Sequence, residues 1–245
     1  SRTAAAAKGA PTEDIVEPIR GIRKAMFKTM TAANAVPHFS YCDEVMMDAI
    51  MEARAEMKEH AVQLGVPKFT LMPLLMKATS LALAEFPILN SSVSEDGTQI
   101  IIKAAHNIGI AMDTPTGLLV PNVKNVHTKT LLEIAAELQR LQGDAAVGKL
   151  RVEDLKGGTF SLSNIGNLGG TYTGPVINLP EVAIAGLGKT RPSPRYDAGG
   201  ALVKRHVMQV SWSADHRIID GATMARFSNA WISYLESPAK MLLKS

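Results

Sequence analysis

Cysteine is almost absent. Cys42 stands alone in 245 residues, so no internal disulfide and no cysteine-rich metal site can form. A reducing compartment fits that usage. Long apolar runs are missing too. A membrane-spanning helix needs ~18 consecutive apolar residues, and the longest such stretch, Leu71 to Phe86, is interrupted by Pro73, Lys77 and Glu85. No signal or transit peptide is visible at the start, no internal repeat appears, and no pair of histidines has zinc-ligand spacing. The net charge is only +3, which argues against a nucleic-acid binder and suits a polyanionic small molecule.

What is present points to one sizeable core. Hydrophobic residues make up 46% of the chain, ample for a single α/β domain. Residues 1–14 hold no large apolar side chain and read as the tail of an inter-domain linker, which suggests a polypeptide that continues upstream. The domain is expected over 15–245.

Pro18 suits a first helical turn, and Ile19, Ile22, Met26 and Met30 recur at helical spacing until Pro37. Their basic neighbours read as a solvated face. His38 to Val45 alternates as a strand. Helices are expected over Met46–Gln63, Thr70–Glu85 (apolar nearly all round, hence buried), Thr130–Leu141 and Gly221–Leu235. Strands are expected over Ile88–Val93 and Gln99–Lys103 around the turn Glu95-Asp96-Gly97. Others are His106–Met112 and Leu118–Val120 around Thr114 to Gly117, then Phe160–Ser163, Val182–Leu187 and Val203–Ser213. Pro192 to Gly200 reads as a loop. The order lacks strict βαβ alternation, which favours a mixed sheet with helices packed on it.

Two segments carry chemistry. Ser213-Ala214-Asp215-His216-Arg217-Ile218-Ile219-Asp220-Gly221 sets a histidine between a strand and a helix, with two carboxylates able to orient it. Imidazole, with a reference pKa of about 6.5, can take and return a proton near neutral pH. By spacing alone a structural His–Asp turn is the competing reading. Gly157-Gly158-Thr159-Phe160-Ser161-Leu162-Ser163-Asn164-Ile165-Gly166 places Ser163 at a strand end. No G-x-S-x-G elbow surrounds it, so it is a poor nucleophile. A third segment, Gly186-Leu187-Gly188-Lys189-Thr190, imitates the end of a phosphate-binding loop. Ala183 stands where that pattern needs its first glycine, and Pro192 and Pro194 follow where a helix should, so it is rejected as a nucleotide triphosphatase. Cys42 reads as a small strand residue rather than a nucleophile. His38 and His106 read as buried and hydrogen-bonded, and His60, His127 and His206 as polar-surface residues.

Asp-His-Arg-x-x-Asp-Gly at Asp215 to Gly221 resembles the signature of the dihydrolipoamide acyltransferases, whose fold is shared with chloramphenicol acetyltransferase. Further stretches, His106 to Asp113, Gly117 to Val123, Pro37 to Val45 and Val210 to Thr223, resemble the branched-chain 2-oxoacid dehydrogenase type, and the likeness covers residues ~15–245. It implies an α/β, two-layer chloramphenicol acetyltransferase-like sandwich. It implies that His216 is a general base, that Asp220 is its motif partner, and that Ser163 donates to an oxyanion. Matching coenzyme A contacts gives Arg54, Thr70, Asp113, Gln142, Ser163, Asn164, Gly188 and Thr190, of which Thr70 and Thr190 depart from the family pattern.

The expected reaction moves a branched acyl group between a dihydrolipoyl thiol and coenzyme A. The lipoyl group rides on a separate domain, since no lipoyl-bearing Asp-Lys-Ala segment occurs here. No metal is expected. The expected partners are copies of this chain, as homotrimers of which eight build a cube. Through domains outside this chain, the branched-chain 2-oxoacid decarboxylase and dihydrolipoamide dehydrogenase are expected too. The expected location is the mitochondrial matrix or a bacterial cytoplasm, without nucleic acid or membrane. Competing readings are acetyl or succinyl specificity, a chloramphenicol-type O-acetyltransferase, and a non-catalytic scaffold that would tolerate loss of His216, Ser163 and Asp220.

Overall fold

The computed structural model describes residues 13–114 and 117–244. The linker expected over 1–14 therefore lies, for 1–12, outside the described residues, as do Pro115 and Thr116 of the expected turn. Residues 14–20 run without regular structure into helix α1 (Gly21–Ala33). The helix starts later than Pro18 suggested because Arg20 is extended and Gly21 adopts a left-handed φ of 57°, so helical geometry begins only beyond them.

Strand β1 (His38–Met46) and helix α2 (Asp48–Gln63) follow as expected. Helix α3 (Met72–Glu85) carries Pro73 in its first turn, where a missing N–H costs nothing, and it is buried from Met72 through Leu83. The expected strand from Ile88 is shorter. Pro87–Leu89 forms a 3-10 turn and only β2 (Ser91–Val93) is extended, paired with β3 (Ile100–Ile102). The expected strand His106–Met112 divides at Ala111. Its first half, β4 (Ile108–Ile110), joins the main sheet, and β5 (Met112–Thr114) pairs instead with β6 (Gly117–Leu119). After β7 (Asn122–Val123), helix α4 (Leu131–Ala146) opens on a capping box between Thr130 and Glu133. It runs five residues beyond Leu141. Arg140, just before that extension, reaches Glu137, Asp144 and the buried Asp154 of the short helix α5 (Val152–Leu155), which periodicity did not suggest.

The rest of the main sheet is β8 (Phe160–Asn164), β9 (Ala183–Leu187), β10 (Arg191–Tyr196) and β11 (Leu202–Asp215). Its order is β1-β11-β9-β8-β4-β7, with β10 beside the first half of β11. Pairs β8–β9 and β8–β4 are parallel and the rest antiparallel, so the sheet is mixed as expected. Strand β10 corrects the loop expected from Pro192. Proline cannot donate to a ladder, yet β10 pairs on one side only, and Pro192 and Pro194, two residues apart, occupy equivalent positions in it.

The core lies between the sheet and helix α6 (Gly221–Glu236), with α3 behind. Met224, Phe227, Trp231 and Tyr234 recur at helical spacing and are buried. Trp212 of β11 meets Phe227 and Trp231 edge to face, at 5.1 and 5.2 Å between centroids. That geometry suits the aromatic quadrupoles. Both indole N–H groups donate to buried hydroxyls, Trp212 to Ser228 and Trp231 to Thr79, each at 3.0 Å. Replacing Trp212 with alanine should therefore cost about 3–5 kcal/mol, read from urea unfolding. A loss below about 1 kcal/mol would mean that this cluster is not the centre of the core.

Candidate active site

Strand β11 ends at Asp215, and the chain turns sharply. Ile218 and Ile219 donate their N–H groups back to the Asp215 carbonyl at 3.1 and 3.0 Å, and His216 donates its own to Pro37 at 2.9 Å. The buried Asp215 carboxylate accepts from the Arg217 N–H at 3.0 Å and from its guanidinium at 2.6 Å. Asp220 is the N-cap of α6, accepting from the Thr223 N–H at 2.6 Å, and that bond holds its carboxyl below the usual range. Both carboxylates are thus engaged away from the imidazole. His216 is aimed instead by the main chain. Its Nδ1 lies 3.0 Å from the Ile219 carbonyl, and its ring leans on Phe39 at 4.8 Å. A carbonyl only accepts, so Nδ1 carries the proton and Nε2 presents a lone pair on an exposed side chain.

Ser163 sits elsewhere. It is half-buried on β8, level with Gly186, which in turn faces Ser211 of β11. His216 lies five residues past Ser211. At about 3.3 Å per residue the two backbone positions in one chain are roughly 16 Å apart along the strands, before the sideways offset of two strands is added. A single chain does not bring them together.

Beside Ser163 opens a cavity of about 570 Å³. Arg54, Thr70, Gln142, Asn164, Gly188 and Thr190, six of the eight expected coenzyme contacts, line it. Ser163 and Asp113 lie outside the lining, each next to a residue within it, Asn164 and Met112. Arg54 is steadied by its Nε, which donates to the Phe69 carbonyl at 2.9 Å. Met47, Met51, Met72, Met112 and Met208 form an adaptable apolar wall that sequence reasoning missed, because methionines scattered over two helices and two sheets give no local signal. The glycines of the phosphate-loop imitation serve close packing. A Cβ at Gly186 would sit 2.0 Å from the Thr173 hydroxyl, and one at Gly188 would sit 2.6 Å from the Thr171 carbonyl.

Several of the other titratable groups have structural partners. Cys42 is exposed on the edge strand β1. His106 is buried against Ser80 and the ring of His127, and burial pushes it down to about 4. His206 pairs with Asp48 at 2.8 Å. Among the described residues no group of three or more His, Cys, Asp or Glu is placed to hold a metal, and no helix is long and apolar enough to cross a membrane. Glu181 is buried, with Oε1 accepting from Asn178 and Oε2 without a partner, and burial pushes its carboxyl up to about 7. A folded-state pKa raised above the unfolded value means stability that is complete below about pH 4.5 and lost as pH rises through about 7. Glu181→Gln should be no more stable than the parent at pH 5 and more stable at pH 8 in paired urea titrations. Equal differences at both pH values would show that Glu181 is ionised throughout.

The two-layer arrangement is a chloramphenicol acetyltransferase-like fold: chloramphenicol acetyltransferase superposes with a TM-score of 0.53 at 17% identity, covering 85% of this chain and 94% of that one. The match to family models is closer in kind. Residues 11–243 match the 2-oxoacid dehydrogenases acyltransferase catalytic domain, and the chain belongs to that family. It is 56% identical over 231 residues to the lipoamide acyltransferase component of the mouse mitochondrial branched-chain alpha-keto acid dehydrogenase complex, covering 94% of this chain and 48% of that protein. The chain thus spans about half the length of the curated relatives it matches. The dihydrolipoamide acetyltransferase of Azotobacter vinelandii superposes with a TM-score of 0.89 at 35% identity, covering 94% of each chain. There a serine, a histidine and an asparagine were investigated for their roles in catalysis, the last two spaced four residues apart as His216 and Asp220 are. The cubic core of a pyruvate dehydrogenase multienzyme complex superposes at 0.88, with 36% identity and the same coverage.

Proposed function

We propose that this domain transfers branched acyl groups (isobutyryl, isovaleryl, 2-methylbutyryl) between a dihydrolipoyl thiol and coenzyme A, at the centre of a branched-chain 2-oxoacid dehydrogenase complex. The observation that carries the chemistry is His216, its Nδ1 fixed on the Ile219 carbonyl and its Nε2 left open. In the reading, Nε2 removes the coenzyme A thiol proton. The thiolate attacks the thioester carbonyl of the acylated lipoyl arm. Ser163 donates a hydrogen bond to the oxyanion, an effect worth about 3–4 kcal/mol for one good donor. Collapse breaks the old carbon–sulfur bond, and Nε2 returns the proton to the leaving sulfur, so no acyl-enzyme forms. A thiol of pKa near 8.5 is only slightly ionised at pH 7, so a positioned base contributes about 10²–10⁴-fold.

Each chain then carries two half-sites, His216 just past the end of β11 and Ser163 with the cavity back along the sheet, level with Ser211 and Met208. Unlike surfaces must meet head to tail, and a contact of that kind makes a ring when its rotation closes. The likeness to a cubic core supports a homotrimer as that ring and eight trimers as the cube. The mouse relative's name supports the branched-chain substrate, the lipoyl-linked donor and the mitochondrial matrix. The decarboxylase and dihydrolipoamide dehydrogenase would be reached through domains outside this chain.

Transfer from isobutyryl-, isovaleryl-, acetyl- and succinyl-CoA to free dihydrolipoamide tests the reading. A branched donor should be preferred. Acetyl or succinyl preference would keep the mechanism and change the complex. No transfer from folded protein with any donor would leave a scaffold. His216→Ala should lower turnover about 10²–10⁴-fold, and Ser163→Ala about 10²–10³-fold in kcat rather than KM. Mixed and reassembled, these two inactive variants should regain activity, because one interface in the mixture joins two intact halves. Mixtures as inactive as their parents would refute the shared site.

A further inference from the structure

We propose that Lys189 is a phosphate-binding residue of the cavity and sets its preference for a phosphorylated thiol over an unphosphorylated one. The proposal rests on the coenzyme A reading above. Strand β9 is buried from Ala183 through Leu187, and Gly188 with it; Lys189 is the first exposed residue beyond. Its N–H donates to the Gly170 carbonyl at 3.2 Å, which pins the backbone at the cavity wall. Arg54 lines the same cavity, its Nε already spent on Phe69. Among the described residues these two cations are the only charged groups in the lining, and neither forms an ion pair with a carboxylate.

Two uncompensated positive charges facing one concavity favour a ligand with more than one negative group. A lysine ammonium suits phosphate as a compact point charge, and an arginine suits it as a fork of donors. Coenzyme A offers phosphates on its nucleotide portion and none beside the reacting thiol. The segment that imitates a triphosphatase loop therefore meets phosphate by a different route. Gly186 and Gly188 fit against the neighbouring 170–175 segment, and Lys189 is the charged residue that the segment adds to the cavity lining.

Calorimetric titration of the assembled protein with coenzyme A, 3′-dephospho-coenzyme A and pantetheine tests this. Lys189→Gln should weaken coenzyme A binding about five- to tenfold, the modest size reflecting an exposed charge. It should also flatten the salt dependence, leave pantetheine binding unchanged, and be largely restored in Lys189→Arg. A dephospho form that loses the sensitivity places the lysine on the 3′-phosphate, and one that keeps it places the lysine on the pyrophosphate. Unchanged coenzyme A affinity in Lys189→Gln, or an equal loss for pantetheine, overturns the inference. Parent protein that binds no coenzyme A overturns the functional reading beneath it.

Discussion

The structure depends on β11 being bonded along both edges. One side pairs with β1 over nine residues, His38 to Met46. The other takes β10 and then β9 in succession. A strand held on both sides cannot slip register without turning its buried face outwards. Trp212 makes the slip costlier still, because its ring is locked among Phe160, Phe227 and Trp231. Everything functional is measured from this ruler. The turn bearing His216 grows from one end of it, while Met208 near the middle forms part of the cavity wall.

The carboxylates around His216 illustrate how position divides labour. Asp215 is buried, and a buried anion needs a partner, which Arg217 supplies two residues on. Asp220 is exposed and serves the start of α6, where unpaired N–H groups favour an anion. Both hold the turn, and neither competes for the imidazole. The imidazole is thereby left to the Ile219 carbonyl, which fixes its orientation.

Much of this was legible in the residues. The alternation of His38 to Val45, the all-round apolarity of α3 and the spacing of Met224, Phe227 and Trp231 are local patterns, and each became the element it suggested. The misplaced elements have long-range causes. Residues 106–112 look continuous because nothing in them shows that two different partners will divide them at Ala111. Pro192 and Pro194 look like a loop because a sequence does not say that β10 will be an edge strand. The site was legible unevenly. Six expected contacts converge on one cavity, and it was the family resemblance, not any local pattern, that pointed to them. The methionine wall and Lys189 acquire meaning only when distant elements meet. The roughly 16 Å between Ser163 and His216 was invisible, because register exists only in the folded sheet.

The carbonyl that orients the His216 imidazole belongs to Ile219, a residue only 1% exposed. Aim is thus delegated to the hydrophobic interior. A larger or smaller residue at this position would leave every polar group of the turn in place and still rotate the imidazole, by shifting the backbone that steers it. Loosening of the packing under one isoleucine would misdirect the lone pair well before the sheet melts, so loss of function on heating would report fit rather than unfolding.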